Sequence, residues 1–241
     1  MMSETITGQG VFTIAGTQVE VSVTVPTAPV KAKKMLPIFQ QLANTIVGIG
    51  EQKSMEDGKP IACGPGCGAC CRQLVPISVS EAYQLNDLVE AMPEPERAIV
   101  RQRFEAASVK IQSAGLHEAL LEAKDMTPDQ RVELALAYFF LDIPCPFLEE
   151  ESCSIHPDRP VVCREYLVTS DPKYCADPLT KKIEGVTIPA AMSKVLYEIG
   201  GQDETLWIPL IWALDWAAHH EDETQSRTGQ EWMGEIFKRI S

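Results

Sequence analysis

Four of the eight cysteines in this chain lie within nine residues, in the stretch Cys63-Gly-Pro-Gly-Cys67-Gly-Ala-Cys70-Cys71. Glycines 64, 66 and 68 let the backbone curl so that several sulfurs converge. Tight loops of this kind also aim backbone N–H groups inward, where they stabilise thiolate charge. The other four, Cys145, Cys153, Cys163 and Cys175, are spread over a segment with longer gaps, each containing turn residues. Four prolines interrupt residues 144–160. A stretch this long without periodicity does not hold together in a compact domain unless something else organises it, and a bound metal would do so.

A lone buried cysteine is usually a small hydrophobe. Four uncoordinated thiols in a polar glycine loop bury little and oxidise readily. Cysteine-rich extracellular mini-proteins use disulfides instead, but they are short, and this chain has 241 residues. The N-terminus, MMSETITGQG, has neither the basic flank nor the apolar core of a secretory signal. The longest apolar stretch, Leu206 to Ala218, is broken by Pro209 and Asp215 and falls short of the ~20 residues that span a bilayer. The expectation is therefore a cytoplasmic protein with reduced, metal-binding thiols. A net charge of −13 repels polyanions and anionic membranes, which argues against nucleic acid and membrane partners.

Away from the cysteines the chain reads as mainly α. Val19, Val21, Val23 and Val25 alternate with polar residues, so residues 11–25 predict a β-hairpin turning at Gly16-Thr17. A lone hairpin is marginal in water and must pack on the rest of the chain, on a protein partner or on a second copy. Helical periodicity follows over Lys31 to Lys53, with Gly48, Gly50 and Gly58 as its expected stop. Ser78 and Glu81 have capping-box spacing ahead of a stripe of Ala82, Leu85, Val89 and Met92. Another helix is expected from Glu96 to Ala114, and one starts at Thr127-Pro128. Helices are also expected at Met192 to Ile199 (ended by Gly200-Gly201), at Glu204 to His219, and around Trp232 to Ile240. This gives an N-terminal hairpin extension, 1–29, and a helical domain, 30–241, with irregular cysteine-rich loops packed among helices.

All eight cysteines are candidate metal ligands. Four thiolates around a divalent cation leave a net charge of minus two, which Arg72, Arg159 and Arg164 are placed in sequence to offset. His156 is a candidate turn residue, hydrogen-bond donor or ligand. His117, His219 and His220 read as structural, the Glu149–Glu151 run as a solvated loop, and the Trp207, Trp212 and Trp216 stripe as core.

Cys67-x2-Cys70-Cys71-Arg72, followed by Cys145-Pro-Phe-Leu, Cys153-Ser-Ile-His, Arg159-Pro160 and Cys163-Arg164-Glu-Tyr166, resembles the CxxCxxCC cysteine-cluster family over residues 61–167. YkgJ-like proteins are its typical case, and the flagellin lysine N-methylases carry a related cluster. The resemblance implies zinc or iron binding by Cys67, Cys70, Cys71, Cys145, Cys153 and Cys163. Here the first gap is Cys63-x3-Cys67, where the family usually has two intervening residues. The triplet Cys63-x3-Cys67-x2-Cys70 also has the spacing of radical S-adenosylmethionine enzymes. Their barrel needs alternating strands and helices, which this chain lacks.

Zinc would require two tetrahedral sites to use eight thiols. An iron–sulfur cluster, with [4Fe–4S] favoured, or two nearby metal centres, better accommodates the adjacent Cys70 and Cys71, whose side chains diverge. Three functional classes follow: a structural centre beside a partner surface, a redox or protein-methylating enzyme, and a metal chelation or delivery protein.

Overall fold

The computed structural model describes residues 4–14, 16–199 and 207–240. Helices dominate, and the strands form only small antiparallel pairs. The chain opens with β1 (Thr5–Ile14) and β2 (Thr17–Pro26), an antiparallel hairpin in which Ile14 faces Thr17 and Thr5 faces Pro26. It is longer than the valine alternation predicts, because Thr5–Gly10 joins by backbone pairing without an apolar pattern of its own. Ala15, which precedes the expected Gly16-Thr17 turn, lies outside the described residues.

Helix α1 (Ala32–Glu56) covers the expected Lys31–Lys53 span, passing Gly48 and Gly50 and ending just before Gly58. Tertiary packing overrides the weak propensity of glycine. At Gly50 the crossing segment comes so close that a Cβ would lie 2.8 Å from the Thr187 carbonyl oxygen, whereas at Gly48 nothing lies within 4 Å. The two glycines therefore predict opposite signs. Gly48→Ala is expected to stabilise by about 0.5–1 kcal/mol through chain entropy. Gly50→Ala is expected to destabilise by about 1–2 kcal/mol, because overpacking exceeds that gain. Urea unfolding of both variants gives the comparison.

After the cysteine loop, β3 (Pro76–Ser78) leads into α2 (Val79–Ala91), capped as its spacing predicts by Ser78 and Glu81. Next come α3 (Glu96–Ser113), the short α4 (His117–Leu121) and α5 (Pro128–Phe139), which starts at the Thr127–Gln130 capping box. Small elements follow: β4 (Leu148–Glu149), β5 (Ser152–Cys153) and α6 (Val161–Glu165). The chain continues with α7 (Met192–Ile199), β6 (Trp207–Pro209), α8 (Ala213–His219) and α9 (Gly229–Ile240).

The expected helix from Glu204 to His219 is corrected over its described part. Trp207–Pro209 is a strand paired with Pro76–Ser78, a 3-10 turn covers Leu210–Trp212, and α-helix begins only at Ala213. Pro209 has no N–H and a fixed φ, so helix cannot pass through it at low cost. Glu204 to Leu206, like Gly200-Gly201, lie outside the described residues.

Three apolar clusters form the interior. In the first, Ile14, Val19 and Val25 of the hairpin pack with Met35, Leu36 and Phe39 of α1, Val161 of α6, Met192 of α7 and Trp232 of α9. The hairpin's apolar face is thus covered by its own chain. Trp232 is 1% exposed and also satisfies its indole N–H, which donates to the Val30 carbonyl at 2.8 Å. Each such side chain contributes about 1.5–3 kcal/mol. The second cluster joins α2, α3 and α8 with Phe147 and Ile155, and the third joins α3 and α5 with Ile143 and Ile211. The cysteine segments run between these clusters, with Cys145 and Cys153 packed on the second. The tryptophan stripe is partly buried against the second and third. No described helix is long and apolar enough to cross a membrane.

Candidate metal centre

The first cysteine loop is shaped by its own backbone. Cys67 N–H donates to the Gly64 carbonyl at 3.2 Å. Cys70 and Cys71 share a single 3-10 turn, Ala69–Arg72, and Cys71 N–H donates to the Gly68 carbonyl at 3.0 Å. Gly68 lies flat against the β4–β5 turn. A Cβ there would meet Leu148 Cδ1 at 2.8 Å and Glu151 Cα at 3.2 Å, so a side chain would push the loop away.

Arg72 fastens the same contact. Its Nη1 and Nη2 bond the two carboxylate oxygens of Glu151 at 3.0 and 2.7 Å, and Nη1 also reaches the Gly68 carbonyl at 3.0 Å. Its Nε stands 3.3 Å from Asp142. Asp142 and Glu151 both have left-handed backbone, with φ of 48° and 58°. Such conformations cost about 1–3 kcal/mol each for non-glycine residues and persist where the surroundings fix them. The acidic run is therefore not simply solvated: Glu149 pairs with Arg103 at 2.9 Å and Glu151 with Arg72.

The two cysteine groups meet. The Cys145 N–H donates to the Cys71 carbonyl at 2.7 Å, a direct backbone bond between them. Cys153 pairs across the β4–β5 hairpin with Leu148. Cys163 rides on α6, whose first N–H, from Val161, donates to Glu81 Oε1 at 2.7 Å. Glu81 Oε2 accepts from the Ser78 N–H and hydroxyl, both at 2.8 Å. The capping carboxylate of α2 thus also holds the helix that carries Cys163. Sequence spacing reveals the cap but gives no sign of this second role. Cys175 lies in the 3-10 turn Pro172–Ala176, and the Val168 N–H points at the Cys63 sulfur at 3.4 Å.

All eight thiols are free. Burial pushes the Cys145 thiol up to about 12 and Cys163 well above the ordinary range. Cys70 is raised first by its hydrogen bond with Cys71 and then by burial. Burial is also the main cause for Cys63, Cys153 and Cys175, and neighbouring thiols add to it. Cys70 is among the neighbours that raise Cys63, Cys145, Cys153, Cys163 and Cys175. Several thiolates packed this way repel one another and lack solvent, which is the condition a bound cation relieves. In donor type the set fits a thiolate-bound metal. Among the described residues, however, no three His, Cys, Asp or Glu side chains are arranged as placed to hold one ion.

His156 stands at the edge of this region. Arg159 and then burial disfavour its protonated form. His219 and His220 bond backbone carbonyls of their own helix, and His117 packs near Trp212 at 5.1 Å, so these three have structural contacts. Beside Cys67 opens a cleft of about 680 Å³, walled by the 66–69 loop, Arg72, Phe139, Phe140 and Lys173.

Helices that frame two cysteine-bearing loops joined backbone to backbone define a cysteine-cluster domain. Residues 62–182 match the family model CxxCxxCC, described as "Putative zinc- or iron-chelating domain", and the chain belongs to that family. The description supports metal binding. No curated protein and no solved structure matches the chain.

Proposed function

We propose that the protein binds zinc or an iron–sulfur centre through its two cysteine groups, with Cys63, Cys67, Cys70, Cys71, Cys145, Cys153, Cys163 and Cys175 as the donor set. The observation that carries this reading is the 2.7 Å bond from Cys145 N–H to the Cys71 carbonyl, which anchors the second group against the first. Residues 30–241 form the metal-binding domain and residues 1–29 its extension. The vicinal Cys70 and Cys71, side by side on one 3-10 turn, favour a centre larger than one ion, such as [4Fe–4S].

A catalytic reading, of redox or protein-methylating type, draws support from the cleft beside Cys67, since a pocket next to a metal is where substrate would sit. Anaerobic purification with quantification of iron, zinc and labile sulfide tests the proposal. Iron with sulfide and broad visible absorption is the expected result. Colourless protein holding zinc alone would remove the cluster and leave the zinc reading, and protein with no metal affinity at all would remove both.

A further inference from the structure

Three arginines border the cysteines, and two of them are committed elsewhere. Arg72 is held by Glu151 and Asp142. Arg164 is buried, and its guanidinium donates to the carbonyls of Arg159 and Pro157 and to Asn44 Oδ1. Arg159 differs from both. Its Nε is buried with no hydrogen-bond partner, and it has no carboxylate partner among the described residues. Elsewhere the arginines of this acidic chain readily find carboxylates, as Arg97, Arg103 and Arg239 do.

A buried guanidinium N–H without an acceptor costs free energy, so the arrangement needs a reason. The chain fixes Arg159 in place: its carbonyl accepts from Arg164 Nε at 3.0 Å and from Gln40 Nε2 at 3.4 Å, and Pro160 stiffens the next residue. Its charge acts on Cys63 and Cys70 of the first cysteine group, on Cys153 of the second, and on His156 and the like-charged Arg164. Arg159 stands between the 3-10 turn His156–Asp158, three residues after β5 and Cys153, and α6, which carries Cys163.

We infer that Arg159 is the built-in counter-charge and N–H donor for the thiolate sulfurs of the metal centre. The inference rests on the metal-binding reading above. Thiolates bound to a divalent ion leave a net negative charge in a partly dry site. Arginine suits the task because it stays protonated and presents five donors in a rigid plane. Partners of this kind around ligating side chains govern metal affinity without touching the ion. Arg159 is thus a positioning and charge-balancing residue, not a ligand.

The test compares wild type, Arg159→Gln, Arg159→Lys and the remote surface variant Arg239→Gln. Each is stripped of metal and titrated with Zn(II) and Co(II) against a chromophoric chelator. Arg159→Gln is expected to keep the wild-type stoichiometry and circular dichroism but to bind Zn(II) about 10-fold more weakly. Its thiolate-to-Co(II) charge-transfer bands should move to lower energy, because sulfurs that lose an N–H donor give up electrons more easily. Arg159→Lys should recover part of the affinity without restoring the bands, and Arg239→Gln should match wild type. Wild-type affinity and bands in Arg159→Gln would overturn the inference. If Arg159→Gln does not fold, Arg159→Lys decides: shifted bands support the inference and wild-type bands overturn it. Wild type that takes up neither ion overturns the metal-binding reading itself, and Arg159's role with it.

Discussion

Cys70→Ala is expected to bind metal at least ~100-fold more weakly than wild type and to emerge from purification nearly metal-free. Thiolate-rich structural sites bind with about 10–16 kcal/mol in total, so one of four donors represents roughly 2.5–4 kcal/mol, or two to three decades in affinity. Cys70 is chosen because its charge reaches five other thiols from both groups, so its loss affects whichever subset shares the centre. It is only partly buried, so the apolar clusters remain filled and helical content should stay at the wild-type level. Elemental analysis and chelator competition on the folded variant give the measurement. Full metal content at wild-type affinity would show that Cys70 is not part of the donor set.

Glu81→Ala is the second large effect, and it acts on the fold. The substitution leaves two N–H groups, of Ser78 and Val161, buried without their acceptor and removes the capping interaction of α2. At about 1–3 kcal/mol for each orphaned donor, the Ser78 one being the capping interaction itself, a loss of roughly 2–6 kcal/mol is expected in denaturant unfolding. Its size should depend on pH. Burial raises the Glu81 carboxyl above its ordinary 4.5, although its hydrogen-bond donors and Arg164 pull it back. The folded state thus holds that proton more tightly than the unfolded state. The associated stability is fully present below about 4.5 and is lost as pH rises through the folded value. The gap between wild type and Glu81→Ala should therefore widen on acidification. A gap below 1 kcal/mol at every pH would mean that α6 does not depend on this carboxylate. Because Cys163 rides on α6, metal affinity should fall along with stability.

Much of the scaffold was legible before any coordinates. Val19 to Val25 gave away the hairpin, Ser78 and Glu81 marked the start of α2, and Thr127-Pro128 marked the start of α5. Each is a local signal: an alternation, a cap, a fixed φ. The failures came where distant chain segments decide. The need for glycine at Gly50 comes from residues 187–188, which cross so close that a Cβ would clash. Trp207–Pro209 is extended because β3 offers it a partner. Around the cysteines, the sequence displays two stretches of thiols and their turn residues. The bond from Cys145 to Cys71, the double duty of Glu81 and the clamp of Asp142 and Glu151 on Arg72 could not be read from it. All three join residues seventy or more positions apart, and no periodicity encodes them.

The bond between Cys145 and Cys71 also bears on how the chain is made. During synthesis the first four sulfurs emerge long before their counterparts, and at about 5–20 residues per second the wait for Cys145 lasts several seconds. Through that interval the glycine loop has no β4–β5 turn to lean on. A nascent chain is most exposed to oxidation of these four thiols during this delay.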